Sequence, residues 1–222
     1  DLGSGFNVAM RDLDIRGAGN MLGGEQSGFI ADIGFETFHK ILDEAIFELK
    51  HTDFKDEFKE EYAKEEFVRD CQIDTDLEIL LPQDYVTSIT ERLNLYKALD
   101  DITEEQKLEE FATMLHDRFG PVPRPAIELM DTIRLRWKAK ALGFEKIFLK
   151  NNLFKGYFVN DDKFFQSPLF SGMIGFVNSH AHQCKLKDDK GKPSLVVNNI
   201  GSIDSANKIL QKMLNTSNAL AN

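Results

Sequence analysis

The chain has 222 residues, of which 42% are hydrophobic and 29% charged, a balance typical of a soluble globular protein. No apolar run approaches the roughly 18 residues of a membrane span and no signal peptide is recognisable, so we expect a cytoplasmic protein without membrane contact. The two cysteines, Cys71 and Cys184, lie far apart, which excludes a disulfide framework and favours a reducing compartment.

The net charge of −10 is unevenly distributed along the chain. Residues 1–50 carry −5, residues 51–110 carry −12 and residues 111–222 carry +7. An acidic middle segment repels phosphate and is a poor candidate for binding nucleic acid. The basic last segment could contact DNA or an acidic protein, but we see no aromatic residues interleaved with the bases as in single-strand binders. A solvated, mixed surface is therefore the favoured interpretation.

The first distinctive segment is the glycine-rich run of residues 12–28. It contains five glycines together with an isolated arginine, Arg16, and an isolated glutamine, Gln26. Such a density of glycine indicates tight turns or close approach to another surface.

Residues 35–50 are predicted to form a helix, followed by a linker. The apolar residues of the helix recur at helical spacing; they are Phe35, Phe38, Leu42, Ala45 and Leu49. Residues 51–72 are rich in charge and are interpreted as a solvated linker, although Phe54, Phe58 and Tyr62 keep helical spacing. We place the domain boundary in this linker.

The next segment predicts one strand and three helices. The strand covers residues 76–81 and is stopped by Pro82, after which Asp84 caps a helix. A capping box at residues 103–106 starts a second helix that ends at Gly120. A third helix starts near Pro123 and Pro125 and ends at Gly143. The apolar residues assigned to the inner faces of the three helices are Val86, Ile89, Leu93 and Tyr96, then Leu108, Phe111, Leu115 and Phe119, then Ile127, Met130, Ile133 and Trp137.

The last part of the chain predicts short strands with two further helices. Turn chemistry at Asn151-Asn152 separates two strands. In chain order we predict strands at 144–149 and 153–159, a helix at 166–178, strands at 183–187 and 195–199, a helix at 202–214 and a frayed tail at 215–222. The fold class is therefore α+β, a helical segment and linker followed by a compact domain of helices with a small, mainly antiparallel sheet.

A search for catalytic or cofactor motifs finds little. No G-x-x-x-x-G-K-[ST] loop is present to bind ATP phosphates. The spacing of Gly17, Gly19 and Gly23 is off by one residue from a dinucleotide fingerprint, and no βαβ unit follows. His180, His182 and Cys184 alternate and would share one side of a strand, but a structural zinc site needs a fourth ligand. We expect no metal, cofactor or catalytic residue in this chain itself.

Three motifs carry a family resemblance. The pattern D-L-x-I-R-G-x-G-x-x-L-G-x-x-Q-x-G, starting at Asp12, resembles the TRG (translocation) motif of the bacterial transcription-repair coupling factors and of the branch-migrating helicase RecG. The run L-P-Q-D-Y-V at 81–86, leading into R-L-N-L-Y-K at 92–97, resembles the C-terminal domain of the coupling factors, and so does D-R-F-G-P-V-P at 117–123.

The resemblance implies a domain organisation and a function. Residues 1–50 would be the TRG segment of the second motor domain, 51–72 the linker, and 73–222 the C-terminal regulatory domain. The parent would be an ATP- and Mg²⁺-dependent translocase on double-stranded DNA, bacterial, cytoplasmic and associated with the nucleoid. It would displace stalled RNA polymerase and recruit nucleotide excision repair through UvrA. The chain itself would be no enzyme, and the helix at 35–50 would pack on the motor.

The resemblance also implies roles for particular residues. Arg16 and Gln26, with the hinge glycines Gly17 and Gly19, would couple ATP hydrolysis to translocation. From the residues alone, without the resemblance, a local ion pair of Arg16 with Asp12 or Asp14 is the favoured interpretation. Asp117 and Arg118 would dock on an N-terminal, UvrB-like module and mask its UvrA-binding surface. An arginine at this position also gains from the helix dipole.

Two alternatives and one departure accompany this interpretation. The chain could be a stand-alone protein-interaction domain without motor coupling, or a fragment of a RecG-like helicase. Met114 stands where the family pattern leads us to expect an acidic residue beside the D-R-F-G element.

Overall fold

The computed structural model describes residues 34–52 and 67–221. Within those ranges the chain forms seven helices and five strands. In chain order they are α1 (Phe35–Thr52), β1 (Gln72–Thr75), α2 (Ile89–Asp100), α3 (Glu105–Phe119), α4 (Arg124–Ala141), β2 (Phe144–Lys150), β3 (Leu153–Phe158), α5 (Asp162–Phe165), α6 (Pro168–Ser179), β4 (Cys184–Asp188), β5 (Pro193–Asn198) and α7 (Ile203–Ala221).

The described residues group into two compact units. The first holds residues 34–52 and 80–123, and the second holds residues 67–79 and 124–221. The predicted boundaries at 50 and 72 stay a prediction, because residues 53–66 of the linker lie outside the described ranges. None of the described helices combines the length and the apolarity that a membrane span needs.

Helix α1 of the first unit is the predicted helix at 35–50, and the start of its apolar stripe packs on α2. The ring of Tyr96 lies 5.7 Å from that of Phe35 and 5.9 Å from that of Phe38, and Phe35 is fully buried. His39 Nδ1 is hydrogen-bonded to the carboxylate of Asp100 on α2. Tyr96 on α2 therefore covers the start of the stripe for which the motor domain was the expected partner.

The entry into α2 differs from the prediction in two ways. Residues 76–81 form no strand; the strand lies at 72–75, and its pairing stops at Thr75 because its partner β2 turns after Lys150. The cap of α2 is Ser88, whose hydroxyl accepts from the amide of Glu91. Asp84 was the wrong cap, because it lies in a turn four residues too early.

Helix α3 begins one residue later than a capping box at 103–106 requires. Its N-cap position is Glu104, which makes no side-chain cap, while the Gln106 side chain bonds forward to Glu110. The predicted capping box is therefore wrong. The predicted end at Gly120 is confirmed, because this residue takes φ +86°, which glycine adopts without strain.

The second unit contains a five-stranded sheet with the strand order β1-β2-β3-β5-β4. β1 pairs in parallel with β2, and the other pairs are antiparallel. Asn151 and Asn152 both take positive φ, 53° and 57°, in the two-residue turn between β2 and β3. The α+β class with a mainly antiparallel sheet is confirmed.

One face of this sheet packs on the helices of the second unit. The shared core takes inward residues of all five strands and residues of α4, α5, α6 and α7. Its fully buried members with large side chains include Phe144, Ile147, Phe154, Leu135, Phe176 and Leu210. The alternation of strand residues thus leaves a second set of side chains on the opposite face.

The last helix is longer than the sequence suggests. Residues 215–221 continue α7 as helix, so the frayed tail was wrong. A Cβ on Gly172 of α6 would lie only 2.6 Å from the Cα of Ser217, and Ser217 is fully buried. Close backbone packing against α6 holds this part of α7, and that packing depends on a glycine far away in sequence.

Candidate docking site

The structure describes two of the six residues to which the sequence assigned a role. Asp117 and Arg118 lie in the last turn of α3, in the first unit. Arg16, Gly17, Gly19 and Gln26 lie outside the described residues, and their coupling role stays a prediction.

The guanidinium of Arg118 is held on two sides. Its Nη2 donates to Oε1 of Glu91 at 2.8 Å, and its Cζ lies 5.0 Å from the ring centroid of Phe119. Half of the Arg118 side chain remains exposed, compared with 31% of Glu91. An arginine fixed in this way presents its remaining donors to a partner with less loss of side-chain entropy than a free one.

A tyrosine hydroxyl is hydrogen-bonded to the backbone of the same turn. The hydroxyl of Tyr85 lies 3.0 Å from the carbonyl oxygens of both Leu115 and Gly120 and shares its proton between them. These carbonyls lie at the end of α3, where the helix has no further backbone amides to donate to them. Burial raises the pKa of Tyr85, so the hydroxyl remains a donor at neutral pH. Its ring also packs on Phe119 at 5.7 Å.

Asp117 faces solvent beside Arg118. Its side chain is 72% exposed, and its carboxylate lies 3.7 Å from Nδ1 of His116. A shallow groove runs from Asp117 along the outer surface of α3; it is lined by Gln106, Glu109, Glu110, Thr113, Met114 and Asp117. The groove is acidic, and Arg118 places a positive charge at its end.

Met114 bears on the departure noted in the sequence. Nη1 of Arg118 lies 3.8 Å from the sulfur of Met114. An acidic residue here would give Arg118 a second carboxylate partner one helical turn away. With methionine at this position, the carboxylate that pairs with the guanidinium is that of Glu91 on α2, a partner that the sequence pattern did not suggest.

The arrangement of these two side chains is suited to recognition. An exposed carboxylate beside a fixed guanidinium suits a partner surface of complementary charges. Among the described residues there is no group of three or more His, Cys, Asp or Glu placed to hold a metal ion.

The second unit separates the residues of the H-x-H-x-C pattern. His180 to Gln183 lie in a turn before β4, so the expectation that the two histidines and Cys184 share a strand face was wrong. Cys184 is 1% exposed in the core, where burial raises the pKa of its thiol, and His180 stacks on Phe176 at 4.0 Å.

Comparison with known proteins identifies the family. Residues 75–166, which include Asp117 and Arg118, match the family model of the TRCF domain. The chain is 38% identical over 147 residues to the transcription-repair-coupling factor of Escherichia coli, an alignment covering 66% of this chain and 12% of that protein. The chain contains the TRCF domain of the transcription-repair-coupling factors.

Transcription-repair-coupling factors of other bacteria are similar to the chain to a comparable degree. The Rickettsia conorii protein is 32% identical over 85% of this chain and 16% of its own length. The Staphylococcus epidermidis protein is 37% identical over 66% of this chain and 12% of its own length. The chain therefore spans about an eighth to a sixth of the length of these curated relatives.

A solved structure shows the same fold. The crystal structure of the C-terminal domain of a transcription-repair coupling factor superposes with a TM-score of 0.54 and 16% identity, covering 68% of this chain and 95% of the solved chain. The predicted resemblance is confirmed for the TRCF domain.

Proposed function

We propose that this chain is the C-terminal part of an ATP-dependent translocase on double-stranded DNA. The parent displaces stalled RNA polymerase and recruits nucleotide excision repair through UvrA. The observation that carries the proposal is the TRCF family match over residues 75–166, together with relatives that are all named transcription-repair-coupling factor.

Within this proposal the catalytic machinery lies in the rest of the parent, in the bacterial cytoplasm at the nucleoid. ATP and Mg²⁺ bind to the motor, and the chain itself is regulatory. The pure chain is expected to show no ATP turnover above a buffer blank in a coupled assay. Measurable steady-state turnover would contradict this division of roles.

The regulatory role is docking on the UvrB-like module of the same protein. Arg118 and Asp117 form opposite charges at the end of α3, and the ion pair with Glu91 and the ring of Phe119 hold Arg118 in place. Docking masks the UvrA-binding surface, and undocking on contact with RNA polymerase exposes it. Such a two-state interface couples two sites through one equilibrium.

Docking is tested with the chain and the UvrB-like module as separate polypeptides in calorimetric titration. Arg118→Glu and Asp117→Lys are expected to weaken binding at least tenfold, because each reverses a charge at the interface. The matched control is Lys212→Glu, a charge reversal on exposed α7, which should bind like the wild type. Equal affinities of all four proteins would exclude this site as the docking surface.

The coupling role is proposed for Arg16 and Gln26, with Gly17 and Gly19 as hinges. A guanidinium can bridge two partners, and glycines let a loop change conformation during motor closure. In the parent, Arg16→Ala should retain much of the ATPase activity and lose displacement of a stalled polymerase. Full displacement by this variant would support the alternative, a protein-interaction domain without motor coupling. The TRCF match favours both over a RecG-like helicase.

A further inference from the structure

The sheet of the second unit has an outer face opposite its helical layer. The lysines and aromatic rings of this face come from three strands. They are Lys146, Phe148 and Lys150 on β2, Lys155 and Tyr157 on β3, and Lys185 and Lys187 on β4. We call these seven residues the lysine–aromatic face.

The strand register arranges this face in rows. In one row Phe148 lies opposite Lys155, and the row continues through Val196 of β5 to Lys185. In the neighbouring row Lys146 lies opposite Tyr157, and that row ends at Lys187. Each row crosses four strands, a width of about 14 Å at the usual strand spacing. Each row therefore holds one aromatic ring and two lysines.

The two rings form one patch at the centre of the face. The centroids of Phe148 and Tyr157 are 5.9 Å apart in an edge-to-face arrangement, and both side chains are half-buried rather than covered. The ammonium of Lys146 lies 4.7 Å from the Phe148 ring and that of Lys155 lies 4.8 Å from the Tyr157 ring. Flat groups and positive charges are thus presented side by side.

Two of the lysines form ion pairs with acidic residues. Lys150 is paired with Asp74 at 2.8 Å, and Lys155 with Asp189. The hydrogen bond from Lys155 lowers the pKa of Asp189, and the same contact raises the pKa of Lys155, so both are charged at neutral pH. Lys146, Lys185 and Lys187 leave the face with an excess of positive charge.

We propose that the lysine–aromatic face binds single-stranded DNA. Bases stack on Phe148 and Tyr157, while the flanking lysines contact phosphates, which is how sequence-tolerant single-strand sites combine rings and cations. A duplex keeps its base faces inside the stack and would use only the lysines. An acidic polypeptide would likewise leave the rings unused. The inference concerns a surface separate from the docking residues and does not depend on their role.

The experiment uses the whole 222-residue chain and a fluorescein-labelled twelve-nucleotide oligo-dT, followed by fluorescence anisotropy at several salt concentrations. We expect saturable binding that weakens as salt rises, with a slope of about −0.7 in log K per phosphate contacted. Phe148→Leu and Tyr157→Leu should each weaken binding at least fivefold without changing this slope, because base stacking is lost and the charges remain. Lys185→Gln with Lys187→Gln should make the slope about 1.4 shallower.

The matched control carries Lys208→Gln and Lys212→Gln on the exposed surface of α7 and should retain wild-type affinity. Circular dichroism melting of every variant separates loss of binding from loss of fold. The proposal would be overturned if the labelled oligo-dT did not bind when the protein is present at 100-fold its concentration. Equal binding by the wild type and the Phe148→Leu, Tyr157→Leu double variant would also overturn it. So would equal binding of a duplex of the same length, or complete competition by poly-glutamate at equal charge. Asp189→Asn is expected to tighten binding, because it frees Lys155 for phosphate.

Discussion

The guanidinium of Arg118 donates to the carboxylate of Glu91 over 2.8 Å and joins the last turn of α3 to the first turn of α2. Both charges lie at the helix end whose dipole favours them. The pair fixes the orientation of the proposed docking arginine. Its two side chains are 50% and 31% exposed, so solvent screens their attraction.

Arg118→Ala is therefore expected to lower the free energy of unfolding by less than about 1 kcal/mol, as for other exposed ion pairs. Urea denaturation followed by circular dichroism measures this directly. A much larger loss would mean that the docking variants act through unfolding. Glu91→Gln should lower the free energy of unfolding by a similarly small amount, because it removes the same ion pair. It leaves Arg118 in place but less well oriented, so it should weaken docking less than Arg118→Glu.

Within the first unit, Tyr96 on α2 accepts a buried hydrogen bond from the segment before that helix. The amide of Leu81 donates to the Tyr96 hydroxyl at 3.0 Å, and Leu81 is 2% exposed. Tyr96→Phe removes the acceptor and leaves a buried amide without it, which costs about 1–3 kcal/mol. Chemical denaturation at pH 7 checks the value. Tyr157→Phe, which changes a half-buried tyrosine in the second unit, is the control and should cost less.

Tyr96 also predicts a dependence of stability on alkaline pH. Burial raises its pKa, an effect that outweighs the opposing influence of the Leu81 hydrogen bond and of Arg92. The folded chain thus holds the phenolic proton more tightly than the unfolded chain. The corresponding stability is present below the ordinary tyrosine pKa of about 10 and is lost as pH rises through the raised value. The stability difference between the wild type and Tyr96→Phe should therefore shrink between pH 9 and 11.

Gly172 allows α6 and α7 to approach closely. Gly172→Ala would place a methyl group 2.6 Å from the Cα of Ser217, a backbone atom that cannot move alone. We expect a loss of about 1–3 kcal/mol from overpacking. Gly175→Ala lies on the exposed surface of the same helix and should instead gain up to about 1 kcal/mol in helix propensity. Thermal melting of the two variants compares them, and equal shifts in Tm would contradict the packing argument.

Arg136 is a buried arginine that ties α4 to the segment before β1. Its Nε donates to the carbonyl of Cys71 at 3.2 Å and lies 3.6 Å from Oδ1 of Asp70, and the residue is 5% exposed. Arg136→Met should cost about 2–4 kcal/mol, because a buried carbonyl and a carboxylate lose their partner. Arg134→Met changes a more exposed arginine two residues earlier and should cost less than about 1 kcal/mol. Urea unfolding of both variants provides the comparison.

Local signals in the sequence predicted most elements of this fold. Helix α1, the end of α3 at Gly120 and the strand pair around Asn151 and Asn152 follow from periodicity and turn chemistry that act over a few residues. The local cap assignments failed at Asp84 and at residues 103–106. Several residues near each helix start have suitable side chains, and packing decides which of them becomes the first turn.

The family and the positions of Asp117 and Arg118 were likewise readable from the sequence, because motifs are local runs of residues. The partner of Arg118 was not, since Glu91 lies 27 positions away and comes close only when α2 and α3 pack. The same limit applies to α7, whose last turns depend on Gly172.

The aromatic and basic residues of the outer sheet face show this division most clearly. Along the chain they looked like a solvated, mixed surface without interleaved rings. Side chains on a strand alternate between faces, and the register of β2 to β5 brings Lys146 beside Tyr157 and Phe148 beside Lys155. Composition and periodicity determined the elements and the charge of this part of the chain. Strand pairing, which joins residues distant in sequence, decided which of those charges surround the rings.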